Sequence, residues 1–362
     1  TGEPVAPPGS SGLDFGAMVR FARQTGGSAL RASTFHQRAA MLKALGQAIM
    51  SRKEELYAIA VDTGATRTDN WIDIEGGAGT LFSFAGKGRR VLPDGKILID
   101  GDAEILGKAG SFIGQHVYTP LQGVAVLINA YNFPVWGMLE KLAPCLLAGV
   151  PAIIKPAQQT GYVAEAAFRM MIESGILPDG AIQLISGGAG DLLDHLGGQD
   201  VVAFTGSAAT AEKLQNHPVI AREGVRFTAE RDSLNASVLA PDAAPGTPEF
   251  DLFVKEVAKE MTVKAGQKCT AIRRAMVPAG FIDAVQEALI ARLGTVVVGD
   301  PRLEQVRMGA LVSTAQRDDV RAKVRQLAER AAIVFGDPEG DAFAVDGLAG
   351  GAFISPILLR SD

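Results

Sequence analysis

The chain has 362 residues, with 35 basic and 40 acidic side chains and a formal net charge of −5. Its hydrophobic fraction of 47% is ample for sizeable cores and excludes an intrinsically disordered protein. The mildly acidic balance argues against a general binder of nucleic acid or anionic membranes. At about 100–200 residues per domain, the length predicts two domains, or three at most.

The first part of the chain is expected to be helical. Residues 14 to 88 have helical character, and Thr34 with Gln37 has the spacing of a capping box. From about residue 95 to 121 the pattern breaks into short segments that predict a β-ribbon, which we interpret as a structural arm. The start resembles no signal peptide, and the missing initiator Met predicts that the chain begins inside a longer protein.

Short apolar runs alternate with helical stretches from residue 123 onward. This alternation predicts an α/β fold with a parallel sheet and right-handed crossovers. A loop of small or polar residues follows each run, and open α/β sheets bind ligands at the carboxyl ends of their strands. We therefore expect these loops to share one surface. The runs are VAVLI (124–128), AII (152–154), IQLI (182–185), VVAF (201–204) and VRF (225–227).

The segment that follows this region is rich in proline. Residues 240–250, APDAAPGTPEF, contain three prolines and predict a domain boundary. A long helix from Phe250 to about Ala265 is expected next, followed by further α/β material.

Two cysteines, Cys145 and Cys269, are too few for a disulfide framework or a Cys-rich metal site, and the histidines are far apart in sequence. A metal site would have to be assembled from residues far apart in the sequence, and we predict none. The cysteine content predicts a reducing, cytoplasmic location. The nucleotide-binding patterns GxGxxG and GxxxxGK[ST] are absent, as is the GxSxG of α/β-hydrolases. A dinucleotide could instead bind through Lys155 and the TGS loop ahead of a helix.

Cys269 is the leading candidate for a nucleophile. It lies in GQKCTAIRR, after Lys268 and before two arginines, and nearby positive charge lowers the pKa of a thiol. The alternative is a buried structural cysteine, which is our interpretation of Cys145 in the apolar run LAPCLLAG. A cysteine nucleophile needs an oxyanion donor and, for hydrolysis, a base. The strand-end loops offer Asn132 and Glu230.

Five motifs in chain order resemble the signatures of the aldehyde dehydrogenase superfamily: NAYNFP, IIKPAQQT, FTGSAAT, AERDSLN and GQKCTAIRR. The resemblance covers essentially the whole chain. Within the superfamily, the combination is similar to the branch that acts on CoA-linked semialdehydes in aerobic benzoate and phenylacetate degradation. That branch includes the aldehyde dehydrogenase half of a bifunctional phenylacetate ring-opening protein.

The resemblance implies an α/β, aldehyde dehydrogenase-like architecture that forms a homodimer or a higher homo-oligomer. A parallel-sheet cofactor domain is expected over 1–102 and 122–233, with a small β oligomerisation arm over 103–121. The catalytic domain is expected over 234–362. The family's Glu-x-Phe-Gly-Pro segment does not follow GAFISPILL, so we expect this domain to be truncated at its carboxyl end and the isolated polypeptide to bind cofactor poorly.

Carried over by motif, Cys269 takes the place of the nucleophile, Asn132 that of the oxyanion-binding amide and Glu230 that of the general base. Lys141 matches a lysine behind the site, and its neighbour Glu140 either pairs with a cation or relays protons. The residues expected to bind the cofactor are Ala130, Tyr131, Lys155, Pro156, Ala157, Gln158, Phe204, Thr205, Gly206, Ser207 and Arg231, the last with no assigned role.

The resemblance implies NAD(P)-dependent oxidation of an aldehyde to the acid through a cysteine thiohemiacetal and a thioester. NADP is the expected cofactor, with NAD possible, because the family's usual glutamate after KPA is Gln158 here. A neutral amide does not repel a 2′-phosphate, whereas a carboxylate does. The alternatives are a non-catalytic binding or structural protein that retains the fold, and a general aldehyde dehydrogenase acting on free aldehydes.

Overall fold

A computed structural model describes residues 9–340 and 350–361 of the chain. The chain divides into two compact units, and the main boundary between them lies between Arg231 and Asp232. The amino-terminal unit holds the described residues up to Leu56 together with Ile72–Arg231. The carboxyl-terminal unit holds Tyr57–Trp71 and the described residues from Asp232 onward. The segment Tyr57–Trp71 thus groups with the unit that carries Cys269.

Helices occupy the first part of the chain, as the periodicity predicts. Thr34 caps the third helix in a complete capping box, in which its hydroxyl accepts from the Gln37 amide and the Gln37 side chain accepts from the Thr34 amide. A five-residue π-helical turn, Ala22–Gly26, joins the first two helices. The helices are α1 Phe15–Phe21, α2 Gly27–Ala32, α3 Phe35–Ser51, α4 Lys53–Ala60 and α5 Arg67–Val91.

The predicted β-ribbon is present as two antiparallel strands, β1 Leu98–Ile105 and β2 Ile113–Tyr118. Nearly every residue of both strands is exposed, including apolar side chains such as Ile105 and Val117. An isolated two-stranded ribbon with exposed apolar residues is at best marginally stable in water.

A five-stranded parallel sheet forms the centre of the amino-terminal unit, which confirms the predicted α/β fold class. Its strand order is β5-β4-β3-β6-β7. Phe204 and Val202 on one face pack with Phe15 and Val19 of α1 in a buried core. The strands are β3 Ala125–Ile128, β4 Ala152–Lys155, β5 Ile182–Leu184, β6 Val201–Gly206 and β7 Arg226–Arg231, and the helices are α6 Trp136–Leu147, α7 Gly161–Glu173, α8 Ala208–Gln215 and α9 Pro218–Glu223.

Asp200 joins the amino-terminal ends of the central strand, β3, and its neighbour β6. Its carboxylate accepts the backbone N–H of Val124 at 2.8 Å and that of Gly197 at 2.7 Å. The same carboxylate pairs with the guanidinium of Arg23, and only 1% of the Asp200 surface is exposed. A single buried acid thus aligns β3 and β6 at the edge opposite to the candidate site.

The carboxyl-terminal unit packs its core around two helices, α10 Pro248–Thr262 and α11 Ile282–Leu293. The expectation of a domain boundary at residues 240–250 is wrong, because this segment connects β8 to α10 within the unit. Leu239 and Ala243 are buried against α10, which anchors the segment in the core. The remaining elements are β8 Asn235–Val238, β9 Ile272–Met276, α12 Thr314–Ala328, β10 Ala332–Phe335 and β11 Leu358–Arg360.

Candidate active site

All the predicted site residues that lie in or directly after strands gather along one edge of the parallel sheet. Ile128 is in register with Lys155 on one side and with Phe204 on the other. Thr205 is in turn in register with Glu230. Adjacent strands lie about 4.8 Å apart, so Lys155, Ile128 and Phe204 form one row across the sheet, and Thr205 and Glu230 belong to the next row, one residue further along. The predicted residues of this edge are Ala130, Tyr131, Asn132, Lys155, Pro156, Ala157, Gln158, Phe204, Thr205, Gly206, Ser207, Glu230 and Arg231.

Lys155 ends β4 as a half-buried cation. Its Nζ donates to the carbonyl oxygen of Pro156 at 3.2 Å. Burial lowers the pKa of the Lys155 ammonium from its ordinary value. Ala157 continues in an extended conformation, and the exposed Gln158 opens a single 3₁₀ turn. This loop therefore presents one cation and, three residues later, a neutral amide.

Gly206 and Ser207 form the turn between β6 and α8. A Cβ atom at Gly206 would lie 2.5 Å from the buried Phe204 ring, so a larger residue at this position would have to displace that ring. Ser207 is the N-cap of α8, where its hydroxyl accepts from the Thr210 amide at 3.3 Å. The Phe204 side chain lies in the core, so only its backbone can face a ligand at this edge. The turn offers the positive end of a helix dipole to an anion.

Glu230 and Arg231 end β7, which is an edge strand of the sheet, and both are exposed. Neither side chain has a hydrogen bond or ion pair with another residue in the described part of the chain. Glu230 shares its row with Thr205, whose hydroxyl is buried and makes no hydrogen bond to a described residue. The Glu230 carboxylate is therefore available to accept a proton.

The loop between β3 and α6 carries Asn132. Two hydrogen bonds attach this loop to the end of β4 and to the turn that follows β4. The amide of Asn129 donates to the carbonyl oxygen of Lys155 at 3.0 Å. The Thr160 hydroxyl donates to the carbonyl oxygen of Tyr131 at 2.8 Å. The Asn132 side-chain amide is half-buried and hydrogen-bonds to none of residues 9–340 and 350–361. Its donor is thus available for an oxyanion.

Glu140 and Lys141 lie on α6 and contact each other. The Lys141 Nζ donates to Glu140 Oε1 at 3.0 Å and to the Gly137 carbonyl oxygen at 3.3 Å. This contact matches the expected pairing of Glu140 with a neighbouring cation. The proton relay through Glu140 stays a prediction.

Cys269 belongs to the carboxyl-terminal unit, where it is exposed in a turn that precedes β9. The side-chain amide of Asn235 donates to the carbonyl oxygen of Cys269 at 2.6 Å and to that of Ala271 at 3.0 Å. Asn235 begins β8, so one side chain attaches the cysteine turn to the neighbouring strand. The thiol therefore sits on a backbone that is held from outside the turn.

A strained turn lies three residues before the cysteine turn. Lys264 and Ala265 have φ angles of 55° and 52°, and Gly266 follows at 70°. Left-handed backbone is costly for residues other than glycine, and such strain clusters at functional sites. The buried carboxylate of Asp69 accepts the Lys264 amide at 2.7 Å, and the Gln267 side chain donates to the Lys264 carbonyl at 3.1 Å.

The cations beside Cys269 in sequence are directed to other partners. Lys268 forms a largely buried ion pair with Glu260, with Nζ 2.6 Å from Oε1. Arg273 donates to the carbonyl oxygen of Gly266 at 2.7 Å, and Arg274 to that of Leu234 at 2.9 Å. The expectation that these charges activate the thiol therefore receives no support. The motif and the exposure of the thiol remain as reasons to assign Cys269.

Cys145 fits the structural role that the sequence suggests. It lies in α6, and burial raises the pKa of its thiol to about 12. A thiol of such high pKa carries very little thiolate at neutral pH, so it is unsuited to nucleophilic attack.

The sheet edge fits an anionic dinucleotide. Lys155 supplies a cation and the Gly206–Ser207 turn supplies a helix N-terminus. Both polar atoms of the Asn129 side chain, which is 4% exposed, are buried without a partner among the described residues. Orphaned buried polar groups of this kind call for a polar ligand or water.

The described residues include no group of three or more His, Cys, Asp or Glu side chains arranged to hold a metal ion. Within the same residues, no helix combines the length and apolar character that crossing a membrane requires.

The chain belongs to the aldehyde dehydrogenase family, whose family model matches residues 7–361. The 3,4-dehydroadipyl-CoA semialdehyde dehydrogenase of Aromatoleum evansii is 46% identical over 364 residues, which cover 100% of this chain and 70% of that protein. These findings confirm the predicted family and the resemblance to the CoA-semialdehyde branch. Family members and these relatives are oxidoreductases.

Solved structures show the same fold. Betaine aldehyde dehydrogenase from Staphylococcus aureus, in complex with NAD⁺, has a TM-score of 0.78 and 24% identity. The match covers 95% of this chain and 65% of that one. An NAD-dependent aldehyde dehydrogenase from Sinorhizobium meliloti has a TM-score of 0.81 and 23% identity, and covers 95% and 64% of the two chains. The chain thus spans slightly less than two thirds of these solved relatives.

Sequence reasoning missed the residues that hold the two loops in place. Asp69 and Asn235 position the cysteine turn, and Asp73 and Thr160 hold the loop of Asn132. The contacts of Asp69, Asn235 and Asp73 each join residues more than 30 positions apart, so no local spacing in the sequence indicates them. The available signals were that Asn235 closes the motif AERDSLN and that Thr160 closes the motif IIKPAQQT.

Proposed function

We propose that the protein is an NAD(P)-dependent aldehyde dehydrogenase that oxidises an aldehyde to the carboxylic acid. The observation that carries the proposal is the register of the sheet edge, in which Lys155 shares a row with Ile128 and Phe204, and Thr205 shares the next row with Glu230, beside the turn into α8. Membership of the aldehyde dehydrogenase family supports the reaction class.

Each residue of the catalytic set has one task in this proposal. The Cys269 thiolate adds to the aldehyde carbon and forms a C–S bond, while the Asn132 amide donates to the oxyanion that develops. When bound, NAD(P) would supply the hydride acceptor that the oxidation of this adduct to a thioester requires. Glu230 removes a proton from water, whose oxygen attacks the thioester carbon. The C–S bond then breaks, the acid leaves and the thiol is restored.

The cofactor site in this proposal uses the groups along the same edge. Lys155 would bind the adenosine ribose or its 2′-phosphate, and the Gly206–Ser207 turn would bind the pyrophosphate. The remaining predicted residues of the edge, Pro156 and Ala157 among them, would contribute backbone contacts. The neutral, exposed Gln158 supports a preference for NADP, since it brings no negative charge toward a 2′-phosphate.

A CoA-linked semialdehyde is the proposed substrate. The support comes from the Aromatoleum evansii relative, whose name specifies such a substrate and which is 46% identical over the full chain. Aromatic-acid degradation is the corresponding metabolic setting. We propose a cytoplasmic location on the ground that Cys145 and Cys269 form no disulfide.

The β-ribbon supports a homodimer or higher homo-oligomer. Its exposed apolar side chains would be covered if the ribbon joined a second copy of the chain, as edge strands and exposed patches tend to do. Sedimentation equilibrium of the protein tests this part of the proposal, and a monomer at micromolar concentration would contradict it. The apolar side chains are Ile99, Ile105, Leu106, Phe112, Ile113, Val117 and Tyr118.

Turnover assays test the chemistry. At saturating NADP, which allows for the weak cofactor binding expected of the isolated polypeptide, the protein should show a higher kcat/KM for a CoA-linked semialdehyde than for free aldehydes. The Glu230→Gln variant should release one equivalent of NADPH and then stall, because the thioester forms but is not hydrolysed. Cys269→Ala should abolish the burst, whereas the matched Cys145→Ala variant should keep it. Steady turnover of Glu230→Gln at the parent rate refutes the assigned base, and a tenfold preference for NAD refutes the assigned cofactor.

A further inference from the structure

The loop that carries Asn132 ends at α6, and the first turn of this helix has no cap of its own. Val135 occupies the N-cap position but cannot accept hydrogen bonds through its side chain. The first N–H groups of any helix lack partners within the helix, so a buried start must find acceptors elsewhere. In this protein the acceptor comes from α5, more than 60 residues earlier in the chain.

Asp73 supplies that acceptor. Its Oδ1 accepts the Val135 amide at 3.1 Å and the Trp136 amide at 2.8 Å. Only 1% of the Asp73 surface is exposed. A buried carboxylate at the positive end of a helix makes short, charge-assisted hydrogen bonds. Removing the charge of Asp73 would leave the amides of Val135 and Trp136 with a weaker hydrogen-bond acceptor.

Two glycines on the same face of α5 allow the start of α6 to pack closely against α5. Asp73, Gly76 and Gly77 are spaced i, i+3 and i+4, so they line one side of the helix. A Cβ at Gly76 would lie 2.7 Å from the Trp136 ring, and one at Gly77 would lie 3.0 Å from the Trp136 Cα. Any larger residue at Gly77 must displace backbone. Gly79, on the same helix, has open space around its Cβ position.

Asn132 lies between two fixed points. On one side, Thr160 holds the carbonyl of Tyr131, and on the other, Asp73 holds the amides of Val135 and Trp136. The segment between these points is only three residues long. A shift at the start of α6 is therefore passed on to the Asn132 amide.

We propose that Asp73, seated with Gly76 and Gly77, is a positioning residue that sets the Asn132 amide at the place of the oxyanion. This inference rests on the proposed function, since it requires Asn132 to bind that oxyanion. A misplacement of about 1 Å can cost about 100-fold in rate. Asp73→Asn should lower kcat about 10- to 100-fold. Gly77→Ala should lower kcat by a smaller factor, because the Trp136 backbone must move by only a fraction of an ångström. Both variants should leave the KM for aldehyde and the Kd for NADP unchanged. The Gly79→Ala control should match the parent.

A double-mutant cycle separates positioning from general destabilisation. In an Asn132→Ala background, Asp73→Asn should lower kcat no further, because the amide that it positions is gone. An equal fall in both backgrounds, a parental kcat in both Asp73→Asn and Gly77→Ala, or a change confined to KM or Kd overturns the inference. If Asp73→Asn does not fold, Gly77→Ala in the same cycle decides. A parent protein without turnover refutes the proposed function and this inference together, whereas an active parent with fully active variants refutes the inference alone.

Discussion

Asn235 provides a direct test of how the cysteine turn is held. Its side-chain amide donates to the carbonyl oxygens of Cys269 and Ala271, at 2.6 Å and 3.0 Å, and so attaches the turn to β8. The Asn235→Ala substitution removes both hydrogen bonds and changes nothing in the thiol itself. We expect the turn to become mobile, and the thiol to lose its defined position.

The size of the effect follows from these two bonds. A typical hydrogen bond contributes about 0.5–1.5 kcal/mol net, so losing two should lower the free energy of unfolding by about 1–3 kcal/mol. Ala271 is fully buried, and its carbonyl loses a partner, which favours the upper half of that range. Because a nucleophile misplaced by about 1 Å can cost about 100-fold, kcat should fall about 10- to 100-fold.

Three measurements together test this reasoning: equilibrium unfolding in urea, kcat for the aldehyde, and the rate at which iodoacetamide alkylates Cys269. Ser237→Ala is the matched control, since Ser237 lies two residues along β8 and its hydroxyl bonds to no described residue. The control should behave as the parent in all three. An Asn235→Ala protein that loses stability but keeps the parental kcat and alkylation rate would refute the positioning role.

Two further predictions concern the amino-terminal unit. Asp200→Ala should lower the free energy of unfolding by about 3 kcal/mol. This value is at the low end for a broken buried ion pair, because Arg23 is 31% exposed. Equilibrium unfolding in urea measures the change, and a loss below about 1 kcal/mol would contradict the reasoning. Burial lowers the pKa of Lys155, so its charge should be lost at lower pH than that of an exposed lysine, and NADP affinity should fall as pH rises through that range. The Lys155→Arg variant should keep its affinity for NADP over that pH range. If fluorescence titrations give the same pH profile for the variant and the parent, this result counts against a phosphate contact by Lys155.

The local pattern of the sequence was enough to predict the sheet and to propose the residues of the candidate site. Buried parallel strands appear as short apolar runs followed by small and polar loops, and these runs coincide with β3 to β7. Once those strands are parallel, geometry requires that Lys155, Gly206 and Glu230 share an edge. The motifs then name the chemistry, because a nucleophile, an amide and a base are recognisable by residue type.

Tertiary structure alone decided which groups hold that chemistry in place. Asp73 accepts a hydrogen bond from Trp136, and Asn235 donates one to Cys269, across sequence separations that no periodicity indicates. Lys268 pairs with Glu260, although its position in the sequence suggested an effect on Cys269. Secondary structure follows from short-range backbone geometry, whereas the partner of a buried polar group depends on which chain segments pack together. Sequence therefore predicted which groups react, and packing determined where each of these residues is held.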